Sequence, residues 1–115
     1  MKRGDIWLAE LPVTNGHVQK GIRPVIIIQN DTGNQYSPTT IVCGITSVVK
    51  RYMPTHLFVS RSGGLRKHSF VECEQIFTID KSDLKQYIGT IKNKHMLREL
   101  DRCIRLSLGL DNTEE

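Results

Sequence analysis

Apolar residues fall in short runs along most of this chain, and the runs have the spacing of β-strands. The clearest run is residues 25–28, where four β-branched residues follow one another and predict a strand buried on both faces. Pro24 comes just before it and disfavours helical backbone at Arg23, so we expect Arg23 to be extended where the strand begins. Residues 39–46 alternate instead, with Ile41, Cys43 and Ile45 on one face.

The remaining runs predict a barrel followed by a helix. Strand patterns occupy residues 5–11, 55–60, 69–79 and 86–91, with a bulge expected in the third and one helical turn over residues 80–85. Apolar residues then recur at helical spacing and predict a helix at about residues 93–108, with a short tail at 109–115. We expect one domain over residues 1–115, mainly β with α, in which a small, strongly bent barrel packs against the terminal helix.

Two of these strands flank a turn, which allows a geometric prediction. Residues 30–34 and Ser37-Pro38 carry turn signals between a strand predicted at residues 23–30 and the strand of residues 39–46. If the two strands pair antiparallel with Asn30 facing Thr39, then Arg23 faces Thr46. A slip of two residues would change the partners, but the two strand ends would still share one edge of the sheet.

Composition excludes several classes of protein. The 115 residues carry a formal net charge of +4, and no stretch is long and apolar enough to cross a bilayer. No secretory signal pattern opens the sequence, so we expect a cytoplasmic protein with no membrane partner. Cys43, Cys73 and Cys103 are odd in number and lack C-x-x-C spacing, which predicts buried, reduced thiols.

The chain also lacks the motifs of the common hydrolases. It has no H-E-x-x-H, no G-x-S-x-G and no glycine-rich phosphate loop, so a metal-dependent hydrolase is poorly supported. Polar groups instead gather at strand ends and in the loop of residues 13–22. They are His17, Gln19, Lys20, Arg23, Thr46, Ser47, Glu74 and Gln75.

A series of short motifs resembles the MazF/PemK family of bacterial toxins. The matches are collinear and reach from the N-terminus to about Leu110, which makes the series far more specific than a lone G-x-R-P. The motifs are RGDIW at 3–7, GIRPV at 21–25, QNDTGN at 29–34, SPT at 37–39, ITS at 45–47, PTH at 54–56 and EQI at 74–76.

The resemblance implies an SH3-like barrel of the MazF/PemK/CcdB type with a C-terminal helix. It further implies a homodimer that cleaves single-stranded RNA without a metal or other cofactor, leaving a 2′,3′-cyclic phosphate and a 5′-hydroxyl. A cognate antitoxin would inhibit it by laying an acidic, partly disordered segment over the RNA site.

The resemblance also assigns roles to residues. It puts Arg23 and Thr46 at the scissile phosphate, where a guanidinium and a hydroxyl both donate hydrogen bonds. Glu74 aligns with an acidic position proposed as the base in the plasmid-borne branch, and His17 aligns with a histidine of that branch. We expect RNA contacts from His17, Gln19, Lys20, Ser47 and Gln75, and we interpret His56 as structural.

Two residues depart from the family pattern. Glu72 stands where the plasmid branch has an arginine, and Phe77 stands where many Gram-positive relatives have one.

Two other functions remain open. A gyrase-poisoning toxin like CcdB would need a tryptophan in the tail after the last helix, and residues 108–111 contain none. A non-catalytic nucleic-acid-binding module on the same barrel is compatible with the modest positive charge.

Overall fold

The computed structural model describes residues 1–12, 16–18, 20–48 and 53–110, and it is mainly β with a C-terminal helix, as predicted. Short 3₁₀ turns cover Ser62–Gly64 and Lys81–Asp83. The strands and helices are β1 Asp5–Leu11, β2 Gly21–Ile27, α1 Asp31–Tyr36, β3 Thr39–Thr46, β4 His56–Ser60, β5 Ser69–Asp80, β6 Leu84–Thr90 and α2 Lys94–Ser107.

The six strands in the described part of the chain form one antiparallel sheet in the order β4-β5-β3-β2-β1-β6. The sheet curls so far that the Ser62–Gly64 turn, which follows β4 at one edge, packs against β6 at the other edge. The closure depends on Gly89, because a β-carbon there would collide with the Gly63 carbonyl oxygen. The backbones can approach this closely only without a side chain.

Apolar side chains fill both faces of the curved sheet. One cluster contains Ile26, Cys43 and Val71, and α2 adds Leu100 and Cys103 to it. The other cluster lies on the opposite face. Its buried members are Ala9, Leu11, Val25, Ile27, Val42 and Ile79.

The structure replaces the turn predicted at residues 30–34 with helix α1, and β2 ends at Ile27 instead of Asn30. Asn30 explains the change, because its side chain accepts a hydrogen bond from the Gly33 amide at 2.7 Å and caps the helix. Asn34 then fixes α1 to the sheet: its amide donates to the Gln29 carbonyl oxygen at 2.9 Å and its oxygen accepts from Thr40 at 2.8 Å.

The three cysteines are buried, as predicted. A hydrogen bond with Cys43, together with burial, raises the pKa of the Cys73 thiol, and burial raises that of Cys103 to about 11. Both groups are therefore neutral thiols at physiological pH. None of the helices in the described part of the chain has the length and apolar character needed to span a membrane.

The closure of the sheet gives a stability prediction. Gly89→Ala places a methyl group against the Gly63 backbone, which cannot move aside as a flexible side chain can. We expect a loss of at least about 2 kcal/mol in the free energy of unfolding, measured by urea denaturation. Gln86→Ala on the same strand is the control, because Gln86 is exposed and should change stability by less than about 0.5 kcal/mol. Equal effects would show that the close approach does not matter.

Candidate active site

Arg23 and Thr46 lie where β2 and β3 separate. Strand β2 pairs with β1 as far as Gly21, but its pairing with β3 covers only Val25–Ile27. Pro24 accounts for the difference, because proline has no amide hydrogen to donate to a neighbouring strand. Beyond Val25 the strands enclose a cavity of about 230 Å³ lined by Arg23, Pro24, Ile45 and Thr46, among others.

The register of these strands is the one predicted from the sequence. Val25 pairs with Gly44 and Ile27 with Val42, so continuing the same register brings Arg23 opposite Thr46. Arg23 and Thr46 also line a second, larger cavity of about 630 Å³. The predicted juxtaposition of Arg23 and Thr46 is therefore confirmed, at the ends of two central strands of the sheet.

The side chains of Arg23 and Thr46 can both donate hydrogen bonds. Arg23 is partly buried, and no carboxylate within the described ranges forms an ion pair with it. The Thr46 hydroxyl oxygen accepts a hydrogen bond from the Val48 amide at 3.1 Å, which leaves its proton available to donate. Among the described residues, a partly buried guanidinium without an ion-pair partner thus lies beside a hydroxyl that can donate, and this arrangement suits an anion.

The two cavities that meet at Arg23 and Thr46 differ in charge. Ser47, Arg66 and Lys67 line the smaller cavity, which is therefore basic. The larger cavity contains groups of both signs and two histidines. Besides Arg23 and Thr46, its polar lining comprises His17, Lys20, His56 and Glu72.

A bulge in β5 arranges the acidic side of the larger cavity. The pairing of β5 with β3 shifts between Cys43↔Ile76 and Gly44↔Glu72, so β5 carries extra residues at this point, as the sequence predicted. His56 of β4 pairs directly with Glu72. The imidazole Nε2 of His56 lies 2.9 Å from Oε2 of Glu74 and 3.7 Å from Oε2 of Glu72.

Glu74 is held in its ionised form. Its Oε1 accepts a hydrogen bond from the Thr55 hydroxyl at 3.0 Å, while its Oε2 faces His56. Partial burial raises the pKa of Glu74, but the hydrogen bonds from His56, from its own backbone amide and from Thr55 outweigh burial and lower the pKa. A carboxylate with a lowered pKa is a weaker proton acceptor, so this environment does not favour Glu74 itself as a general base.

The other predicted site residues differ in whether they line one of the two cavities. Ser47 lines the smaller cavity, and His17 and Lys20 line the larger one. Gln75 is partly buried in the bulge and lines neither of these two cavities. Gln19 lies outside the described residues.

Five of the described polar residues that line the two cavities were not among the predicted site residues: His56, Glu72, Arg66, Lys67 and Ser69. No direct signal for the first two was present in the sequence. Pairing the ends of the predicted strands, Ser60 with Ser69, would bring His56 opposite Cys73, and His56 pairs with Glu72 only because the register of β4 and β5 shifts between Phe58 and Ser60.

Comparison with known proteins gives a family match over nearly the whole chain. The model of the family described as "PemK-like, MazF-like toxin of type II toxin-antitoxin system" matches residues 2–108. A protein named Endoribonuclease MazF from Staphylococcus saprophyticus subsp. saprophyticus is 48% identical over 112 residues, which cover 96% of this chain and 92% of the relative. Its namesake from Staphylococcus epidermidis is 45% identical over 114 residues, covering 97% of this chain and 94% of the relative.

Solved structures with the same fold include two mycobacterial toxins. The structure described as Mycobacterium tuberculosis toxin MazF-mt6 has a TM-score of 0.79 at 27% identity, covering 93% of this chain and 98% of the other. A mycobacterial endoribonuclease in complex with its cognate antitoxin has a TM-score of 0.81 at 22% identity, covering 96% and 97% of the two chains.

The lowered pKa of Glu74 predicts a pH-dependent contribution to stability. The ionised carboxylate stabilises the fold above its ordinary pKa of 4.5, and this stabilisation is lost as the pH falls through the lowered value. At pH 7 we expect Glu74→Gln to lower the free energy of unfolding by no more than about 1 kcal/mol, because the group is partly exposed. Urea denaturation at pH 7 and pH 3 should show the difference shrinking in acid.

A double-mutant comparison tests the cause. In a His56→Gln background, Glu74→Gln should have much less effect on stability at pH 7, because the partner that lowers the pKa of Glu74 is missing. A difference that stays constant with pH, or that persists undiminished without His56, would contradict the assigned cause.

Proposed function

The chain belongs to the PemK-like, MazF-like toxins of type II toxin–antitoxin systems, and on that basis we propose that it is a metal-independent, sequence-selective endoribonuclease acting on single-stranded RNA. The observation that carries the proposal is the Arg23 guanidinium, partly buried with no ion-pair partner among the described residues, beside the Thr46 hydroxyl. The pair suits a phosphodiester because both groups can donate to its non-bridging oxygens.

RNA supplies its own nucleophile, so the protein needs neither a metal nor a nucleophilic side chain. The 2′-hydroxyl attacks the adjacent phosphorus and the bond to the 5′-oxygen breaks, which gives a 2′,3′-cyclic phosphate and a 5′-hydroxyl. Negative charge builds up on the phosphorane oxygens during this step, and Arg23 and Thr46 stabilise it. Arginine is too weak an acid to donate a proton efficiently near neutral pH, so charge stabilisation is its role.

The two cavities offer a path for the RNA chain on either side of this phosphate. Arg66, Lys67 and Ser47 suit neighbouring phosphates on the basic side. His17, Lys20 and Glu72 suit bases or phosphates on the other side, where a carboxylate can accept a hydrogen bond from an amino group of a base. Gln19 and Gln75 complete the set of proposed RNA contacts.

We further propose the partners that the family implies. The protein acts as a homodimer in the cytoplasm and arrests growth, and a cognate antitoxin inhibits it through an acidic, partly disordered segment. The net charge of +4 and the cations of the smaller cavity are complementary to such a segment.

Cleavage of a long single-stranded RNA in the presence of EDTA tests the proposal. The wild type should give fragments with 2′,3′-cyclic phosphate and 5′-hydroxyl ends. Arg23→Ala should lower the cleavage rate by about 100-fold or more, because one charged donor to the developing phosphorane is lost. Arg98→Ala is the matched control, because Arg98 is exposed on α2, away from both cavities, and should leave the rate unchanged.

Two other experimental outcomes would indicate a different function for the protein. RNA binding without cleavage by the wild type would indicate a non-catalytic module, and inhibition of gyrase would indicate a CcdB-like toxin. Either result, or cleavage that is equally fast in Arg23→Ala, would contradict the proposed function.

A further inference from the structure

Three potential metal-ligand atoms meet at one wall of the larger cavity. The imidazole Nε2 of His56 lies 2.9 Å from Oε2 of Glu74 and 3.7 Å from Oε2 of Glu72, and all three atoms lie within 4.8 Å of one another. Within the described ranges, no other group of three His, Cys, Asp or Glu side chains converges in this way. One imidazole nitrogen and two carboxylate oxygens are ligands that Zn²⁺ accepts.

The spacing of these atoms is close to that of tetrahedral coordination. Two ligand atoms that are each about 2.0–2.1 Å from a tetrahedral zinc ion lie about 3.3 Å apart. The two distances from Nε2, 2.9 Å and 3.7 Å, fall on either side of that value and differ from it by about 0.4 Å each. Small side-chain rotations are therefore enough to bring the ligand atoms to one ion.

The backbone holds the three ligands in place. His56 pairs directly with Glu72 across β4 and β5, and Glu74 follows in the bulge of β5. The Thr55 hydroxyl donates to Oε1 of Glu74 at 3.0 Å, while Oε2 of Glu74 contacts His56. The Thr55 carbonyl oxygen accepts from the Cys73 amide at 2.9 Å and joins the two strands at this point. An ion would thus meet ligands that are already arranged.

The charges and donor types of this group favour zinc over magnesium. Two carboxylates balance the charge of one divalent ion, and the hydrogen bonds that lower the pKa of Glu74 keep it ionised near neutral pH. Zinc accepts imidazole together with carboxylates, whereas magnesium prefers six oxygen ligands and retains much of its water. The buried thiols of Cys73 and Cys103 are neutral, which makes them poor ligands.

The three ligands leave a fourth position of the ion for water. Structural zinc sites are closed by four protein ligands, whereas a site with three protein ligands keeps one position open. His56 and Glu72 line the larger cavity together with Arg23 and Thr46, so an ion bound here is reached from the cavity that the RNA is proposed to enter.

We propose that His56, Glu72 and Glu74 form a regulatory zinc site and that a bound ion excludes RNA from the larger cavity. The binding of zinc rests on the contacts alone, and its effect on RNA rests on the proposed ribonuclease function. The ion draws Oε2 of Glu72 toward His56 and away from a nucleobase, and the ion with its water fills part of the cavity. Cleavage itself needs no ion, so removal of zinc activates the enzyme.

Isothermal titration calorimetry with Zn²⁺, on untagged protein freed of metal with EDTA, tests the site. We expect one ion per chain and no comparable heat with Mg²⁺. His56→Gln and Glu72→Gln should each weaken zinc binding at least about tenfold, because each removes one ligand. His95→Gln is the matched control, because His95 is exposed on α2, outside the cluster, and should bind zinc as the wild type does. Far-UV circular dichroism checks that each variant is folded.

Cobalt in place of zinc gives a spectroscopic readout of the ligands. Nitrogen and oxygen ligands should give d–d absorption without a thiolate-to-cobalt charge-transfer band. The presence of that band would place the ion at the cysteines and would overturn the site.

Cleavage at subsaturating RNA, with the free zinc concentration set by a chelating buffer, tests the effect on function. The zinc concentration that halves the wild-type rate should equal the dissociation constant from calorimetry. Whatever its own rate, Glu72→Gln should need at least about tenfold more zinc for the same fractional inhibition. RNA with zinc and no protein controls for effects of the ion on the RNA itself.

The possible failures are distinguishable. No binding of zinc, or binding that both glutamine variants retain, would overturn the site. Zinc that binds but leaves the cleavage rate unchanged, or raises it, would overturn the exclusion of RNA. If the wild type fails to cleave RNA in EDTA but still binds zinc through these residues, the proposed function falls and the zinc site stands.

Discussion

The site depends on one interruption in the sheet, the point at which Pro24 ends the pairing of β2 with β3. Strand β2 stays bonded to β1 as far as Gly21, so it remains rigid on one side while it separates from β3 on the other. A residue with an amide hydrogen at position 24 would allow the ladder to continue and would close the gap. The open gap leaves Arg23 and Thr46 opposite each other, with a cavity on either side.

The bulge in β5 is a second interruption of the sheet, and it positions the acidic group of the site. It places Glu74 within reach of His56 and Thr55, and their hydrogen bonds keep the carboxylate ionised. The two interruptions therefore supply different groups. The first leaves the Arg23 guanidinium beside the Thr46 hydroxyl, and the second pairs the Glu74 carboxylate with the His56 imidazole. Both interruptions face the same cavity through Arg23, Thr46 and His56, which makes the cavity one site.

Sequence patterns predicted the strands and the terminal helix well, because apolar spacing directly reflects which face is buried. Strands β1 and β3 begin and end where the pattern predicts, and the register of Arg23 with Thr46 follows from the position of one turn. The prediction at residues 30–34 was wrong because the Asn30 cap and the bonds of Asn34 stabilise a helix in a sequence rich in turn formers. Family resemblance suggested Glu74 as a base, but only the contacts with His56 and Thr55 reveal its lowered pKa.

The central claim, that Arg23 and Thr46 hold the phosphate at which RNA is cleaved, has a direct structural test. An RNA that carries a 2′-deoxynucleotide at the cleavage position cannot react, and its complex with the wild-type protein can be crystallised. The account predicts that the oxygens of the phosphate next to that nucleotide lie within hydrogen-bond distance, about 3.2 Å, of both the Arg23 guanidinium and the Thr46 hydroxyl. A phosphate bound outside the gap between β2 and β3, with Arg23 paired to a carboxylate instead, would contradict it.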